Sequence, residues 1–358
     1  REKLRFVPAG DLLSLLNTRW IVTDKVFDAW IEGVFYDLQF PAPLSAGQTV
    51  STQQIPEFPT TALGLVSHLK GSNDLVNGTP VADVTITFST GAQQTFSLKS
   101  GVDSAEGVYT EDVRHQQATI GAAWPYEAGG VDYVTRLSLD GSHQIIEITV
   151  TSTTAGQGIF ELRGLSLIHE PTNTSRSVLL STAGEYRQVH SGDVKIYENL
   201  SVLPRAFIRH AAKVVPNNEQ AIAFMQSDTF DPESEFVYIT ESDHHPDYVY
   251  SGEESPQDQA EIISYTPERV EIAVELASPG WLLLTDTQYP GWRATVDGQP
   301  TPIRQANVMF RAVSVPEGRH IVLFEFKPGS LRLGSLVTGV STLLLIFGLA
   351  VTRLTKRD

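Results

Sequence analysis

Apolar and polar residues alternate with a period of two along most of this chain. Thr85-Ile-Thr-Phe88 and Ile146-Glu-Ile-Thr-Val150 show the pattern of a strand with one face buried. Between Phe40 and Leu167 the candidate strands are Leu63–His68, Val81–Phe88, Gln94–Leu98, Ala118–Ala123, Val131–Leu139, Gln144–Val150 and Ile159–Ile168. Turn residues separate them, which predicts an antiparallel sandwich of jelly-roll type. Strand texture returns at Val194–Ile208 and Ala211–Val215, and again at Val270–Leu276, Trp281–Thr285, Trp292–Val296, Val308–Val315 and His320–Phe326. Asp297-Gly298 between two of these runs is a hairpin signal. The last block predicts a second, Ig-like sandwich.

Helical patterning is sparse. AGDLLSLLN at 9–17 predicts a short helix with Asp11 as N-cap, followed by a strand at Trp20–Thr23, and Glu219–Gln226 predicts another short helix. Val26–Leu38 (VFDAWIEGVFYDL) fits either an amphipathic helix or a strand pair. Asp231 to Glu261 holds ten acids and no Lys or Arg, so most of it is expected to be a solvated loop.

The end of the chain has a different solvent in mind. Leu333 to Thr352 is an unbroken run of twenty uncharged residues, long enough as a helix to cross the roughly 30 Å of a bilayer's hydrocarbon core. Arg353, Lys356 and Arg357 follow it, which predicts a cytoplasmic C-terminus, 353–358, with residues 1–330 outside. The sequons at Asn77, Asn173 and Asn199 fit that side. Cysteine is absent, which excludes disulfide scaffolds and thiolate sites and suits a bacterial surface. The balance of 26 basic against 42 acidic residues, net −16, argues against nucleic acid as a partner. The first residue is Arg and no signal peptide leads the chain, so the chain is expected to be a piece of a longer protein.

Local catalytic signatures are missing: no G-x-x-x-x-G-K-[ST], no G-x-S-x-G and no H-E-x-x-H occurs in the sequence. His244 and His245, flanked by Asp243 and Asp247, are a weak candidate for a divalent metal, because neighbouring side chains on extended chain point to opposite faces. Glu106, Glu111, Asp112, Glu127 and Asp132 lie in expected loops, yet nothing selects a hydrolytic pair among them. Aromatics are the better lead, since sugar rings stack on Trp and Tyr. Trp124 and Tyr126, with Glu127 and Asp132 near to take hydroxyl hydrogens, form one candidate carbohydrate contact; Tyr289 and Trp292 form another. For both, packing within a sandwich is the competing role. Arg205 pairs with an acid, faces a lipid phosphate or lies on the surface with no specific role, and Arg293, Arg304 and Arg311 are candidates to approach anionic headgroups, although the net charge of −16 opposes a general membrane attraction.

One stretch resembles a known family. Leu284-Thr-Asp-Thr-Gln-Tyr-Pro-Gly-Trp-Arg-Ala-Thr-Val-Asp-Gly298, with Ala306-Asn307, Phe310-Arg-Ala-Val313 and Pro316-Glu-Gly-Arg-His320, resembles the C-terminal ectodomain of the bacterial YfhO membrane proteins. Val194–Asn199, Leu203–Phe207 and Leu15–Thr23 resemble adjoining parts of it. The resemblance implies a parent akin to GT-C glycosyltransferases, with many membrane spans, a polyprenyl-phosphate sugar donor, a divalent metal as a possible cofactor, and cell-surface polymers as acceptors. The family's catalytic carboxylate belongs to an N-terminal region not contained here, so no catalytic residue carries over.

The expected organisation is therefore mainly β: a helix-strand lead-in at 1–37 packed with 190–330, an inserted jelly-roll or carbohydrate-binding-module-like sandwich at 38–189, the C-terminal sandwich at 190–330 and a membrane helix at 331–352. The expected role is a glycan- or acceptor-positioning region, inert alone. Its rival is a membrane-anchored structural or protein-interaction ectodomain that binds no sugar.

Overall fold

A computed structural model describes residues 10–355, apart from 110–112, 125–126, 155, 157, 228, 241–247 and 251. Strands take 53% of the chain and helices 10%. The chain divides into two compact units, Arg1–Val202 and Leu203–Asp358.

The first unit is built on one strand. Val131–Ser152 runs for 22 residues, joining what the sequence divides into two runs. Asp140-Gly141 reads as a hairpin turn, but the register slips between Ser138 and His143, as in a bulge. The first half of the strand pairs with Pro59–Lys70, and the second half with Pro80–Phe88 and Thr49–Thr52. One sheet continues through Ile159–His169 to Thr174–Val178, and the other through Gln93–Lys99. Leu63, Leu65, Leu69, Leu165 and Leu167 from one side meet Val84, Ile86, Ile148 and Val150 from the other, all buried. Each such side chain contributes on the order of 1.5–3 kcal/mol by leaving water.

The outer face of the first sheet is also covered. Val26–Leu38 resolves as a strand pair, Asp28–Ile31 with Val34–Asp37, turned at Glu32 and Gly33, both with positive φ. Its Ile31, Val34, Tyr36 and Leu38 pack on Ala62, Val66 and Ile168. The Tyr36 hydroxyl lies 2.1 Å from where a Cβ on Gly64 would stand, so only glycine admits it. Burial pushes the Tyr36 phenol up to about 12.

Trp20–Thr23 pairs with Lys195–Asn199, which pairs in turn with Tyr186–Ser191. Residues 190–202, expected with the C-terminal sandwich, thus lie in the first unit. The lead-in finds its partner at 195–199, and the break in the chain falls at 202/203 rather than at 189/190.

The second unit is a sandwich of a seven-stranded and a five-stranded sheet. Ile208, Leu282, Leu284, Val313 and Val315 face Val270, Ile272, Val274, Val322 and Phe324 across its core. The Asp297-Gly298 turn joins Trp292–Val296 to Gln299–Thr301, as expected. Not every pairing is antiparallel: Ala211–Val215 runs parallel to Glu235–Ile239 through the helix Asn218–Met225, whose N-cap is Asn217. The acidic stretch is consequently not all loop, since Glu235–Ile239 is a largely buried strand. From Gly329 to Thr355 the chain is helical; its stretch Gly329–Gly348 is apolar and none of it is buried, so it is long enough to cross a membrane.

Candidate functional site

Three places carry chemistry. The first surrounds Trp124, which follows the strand Ile120–Ala123. Its ring fits a slot made by two glycines: a Cβ on Gly130 would stand 2.2 Å from the indole, and one on Gly107 2.7 Å. The ring lies edge-on to His68 at 4.6 Å between centroids and is 9% exposed. Beneath it the outer sheet face holds buried charges. His68 Nδ1 is 2.8 Å from Asp132 Oδ1 and its Nε2 is 3.8 Å from Glu161. Arg163 Nη1 donates to Glu161 at 3.3 Å, its Nε lies 3.8 Å from Asp132, and Lys70 pairs with Glu161. The bulge between Leu162 and Gly164 keeps Arg163 beside Glu161 while Leu165 and Leu167 return to the core.

Of the four residues proposed there for sugar contact, Trp124 and Asp132 are thus packed inside, Glu127 is exposed, and Tyr126 lies outside the described residues. Glu106, another loop acid, is buried and accepts the N–H groups of Gly71 and Ser72 at 2.9 and 3.0 Å. The His244, His245, Asp243 and Asp247 quartet falls outside the described residues. Among the described residues no group of three or more acidic or histidine side chains is placed to hold a metal.

The second place joins the lead-in to the strand 195–199. Lys195, fully buried, donates to Asp28 at 2.5 Å and Asp37 at 2.9 Å. The Tyr197 hydroxyl donates to Asp37 at 2.5 Å, and burial with the neighbouring Asp37 charge holds that phenol far above its ordinary value.

The third place is the end of the second unit nearest the helix. Tyr289-Pro-Gly-Trp292 rests on 326–328: the Lys327 N–H donates to Gly291 O at 2.7 Å, and Gly291, with φ +113, leaves no room for a Cβ against Phe326 and Pro328. Tyr289, Trp292 and Phe326 form a ring cluster with centroids 5.2–6.2 Å apart. Tyr289 is 43% exposed and Trp292 partly buried. Arg311, only 2% exposed, lies 3.5 Å above the Trp292 ring. Its Nη2 donates to Thr287 O at 2.9 Å, while Nε and Nη1 have no partner among the described residues. Asp286 uses both carboxylate oxygens on the Tyr265 hydroxyl at 3.1 Å, and Arg205 lies over the Tyr265 ring. Burial holds the Arg311 guanidinium below its ordinary value, against the pull of Asp286.

A groove of about 670 Å³ opens between Leu203–His210 and Glu254–Glu261. His210 forms its buried wall, with Nε2 2.9 Å from Asp258 and Nδ1 2.8 Å from Pro279 O. Burial pushes Asp258 up, but hydrogen bonds from the Ala277 N–H, His210 and the Ser255 N–H outweigh it and hold the carboxyl below its usual range.

Residues 247–338 match the family described as bacterial membrane protein YfhO. The matched segment contains the Arg311–Trp292 cluster whole and runs into the apolar helix, the one candidate membrane span among the described residues. Among solved structures, the arabinofuranosyltransferase AftD from Mycobacteria is similar at 12% identity over 89% of this chain and 25% of that chain, with a TM-score of 0.22. A mutant of AftD gives 10% identity over 96% of this chain and 42% of that chain, with a TM-score of 0.21. A quercetin 2,3-dioxygenase from Acinetobacter baumannii gives 9%, 87% and 80%, with a TM-score of 0.12. These overlaps are too loose to carry residues across. The chain spans about a quarter of the length of the first AftD structure it matches, and no curated protein matches it.

Reading the sequence alone misses Trp30, which is 72% exposed beside Phe35 on the hairpin. Its signal, an aromatic at an alternating outward position, is visible only once 26–38 is known to be a strand pair.

Proposed function

We propose that this chain is the membrane-anchored accessory region of a GT-C-like glycosyltransferase of the YfhO kind, holding a glycan or surface-polymer acceptor near a membrane active site supplied by the rest of the parent. The observation that carries the reading is the unbroken YfhO segment, in which the Tyr289–Trp292 turn is braced against 326–328 beside the first turn of the apolar helix. A brace of that kind fixes whatever the sandwich holds at one height above the bilayer. The ectodomain lies outside the cytoplasmic membrane, with the basic tail inside. Trp30 and Tyr289 are exposed aromatic faces open to a sugar ring. The net charge of −16 favours a neutral or cationic acceptor over a polyanion. The polyprenyl-phosphate donor, and any metal, belong with the parent's membrane part.

The test is sugar transfer by the full-length parent in membranes. Trp30→Ala and Tyr289→Ala are expected to raise the acceptor KM several-fold and leave the donor KM unchanged, and residues 1–358 alone to transfer nothing. Unchanged acceptor KM in both variants would favour the rival structural role, to which the buried Trp124 already lends support.

A further inference from the structure

Arg311 poses a problem that the fold does not answer. A guanidinium carries five N–H donors and a fixed charge. Removed from water, it needs an anion or a full set of acceptors to offset its lost hydration. Among the described residues Arg311 has one acceptor, Thr287 O, and no carboxylate oxygen within 4.0 Å. The nearby Asp286 is engaged by the Tyr265 hydroxyl through both oxygens. The unpartnered Nε and Nη1 lie on opposite sides of Nη2, and each presents a charge-assisted N–H to an oxygen of a carboxylate or phosphate. A further buried donor, Trp292 Nε1, is without a partner in the same cluster. The segment 285–291 lies over Arg311 through Thr287, and its Thr287, Tyr289 and Pro290 are exposed.

The place narrows the ligand. Trp292 and Tyr289 sit against residues 326–328, immediately before the apolar helix, where aromatic residues meet the headgroup layer of a bilayer. Phosphate is the anion concentrated there. We propose that Arg311, stacked on Trp292, binds a phosphate oxyanion at the foot of the second unit, one that a membrane phospholipid headgroup would supply. The ligand enters past 285–291, and an unpartnered Arg311 N–H holds one of its oxygens. The inference rests on the helix being a membrane span but on no sugar contact, so it can fail while the accessory role survives.

The full chain, purified in a maltoside detergent and phosphate-free buffer, is released from detergent in a mass spectrometer and its retained lipids are counted. Wild type and Arg269→Gln, which loses an exposed cation at the same end, are expected to keep one phospholipid. Arg311→Gln is expected to keep about tenfold less, the loss of one charge-assisted hydrogen bond. Asp286→Asn, which removes a nearby negative charge, should retain phospholipid more strongly. Equal retention by wild type and Arg311→Gln, or weaker retention by Asp286→Asn, overturns the proposal. Wild type alone gives a second measurement that no variant's folding can spoil. Phosphatidylglycerol should raise its melting temperature and a phosphate-free galactolipid should not; equal effects overturn the proposal. Millimolar inorganic phosphate forms a separate arm: a rise in melting temperature as large as that from phospholipid assigns the site to free phosphate. A chain that stays in solution without detergent removes the membrane source, and that arm then decides by itself, no rise overturning the site altogether.

Discussion

Each unit holds a buried cation, and the two are met differently. In the first, Lys195 sits between Asp28 and Asp37, and Arg163 and Lys70 share Glu161 near His68 and Asp132. In the second, Arg311 is equally buried, and its Nε and Nη1 have no hydrogen-bond partner among the described residues. Buried charge by itself therefore says little about function. A closed set of partners marks a tie that holds strands in register, and an open donor marks a place where something else is expected to bind. Trp124, the most attractive sugar contact in the sequence, lies over the closed set and is packed. Trp292, the more ordinary-looking turn residue, lies under the open one.

Substitutions can break this contrast. Lys195→Ala strands two aspartates inside the first unit and should cost it about 3–5 kcal/mol in urea unfolding; a loss under about 1 kcal/mol would mean the aspartates are solvated after all. Gly130→Ala drives a methyl into the Trp124 ring and should cost about 1–3 kcal/mol, with the Trp emission moving to the red as the indole leaves its slot. Arg311→Met removes a cation that the protein does not neutralise. Calorimetry without phosphate should find the second unit changed by less than about 1 kcal/mol, or stabilised. A loss as large as that of Lys195→Ala would show that Arg311 has an internal partner.

The smallest effect is with pH, in the second unit. The Asp258 carboxyl is held below its ordinary value, so its contribution is present above about pH 4 and disappears as pH falls through the lowered folded value. His320 is raised by its hydrogen bond to Asp297, so its contribution is present below about pH 6.5 and lost as pH rises through the raised folded value. Asp258→Asn should flatten the acid limb of a melting-temperature profile and leave the limb above neutrality in place.

The sequence made much of this fold legible, and the reasons for its gaps are physical. Period-two runs located Pro80–Phe88, Arg269–Leu276 and Trp292–Val296 to within a residue or two, because each has one wet and one dry face. Pro59–Lys70 and Ile159–His169 were found too, but their near-continuous burial hides that His68, Glu161 and Arg163 point outward beneath a covering hairpin. The slot around Trp124 was not visible, since Gly107 and Gly130 become its walls only when distant chain is brought together. Glu235–Ile239 was masked by the acids around it, although its Phe236 and Val237 are fully buried. The open donors of Arg311 left no trace in the sequence at all, for an unmet hydrogen bond exists only in three dimensions.

The long strand Val131–Ser152 has a kinetic consequence. Both sheets of the first unit pair through it, and its partners at 59–70 and 80–88 are made well before it in the chain. Pro59–Lys70 must wait, unpaired, and the early hairpin of Pro80–Phe88 with Gln93–Lys99 must wait undocked, until the chain reaches residue 152 and closes two long loops at once. High contact order of this kind slows folding, so the first unit should assemble late, in one step, and be most open to proteases and chaperones while the chain is still being made.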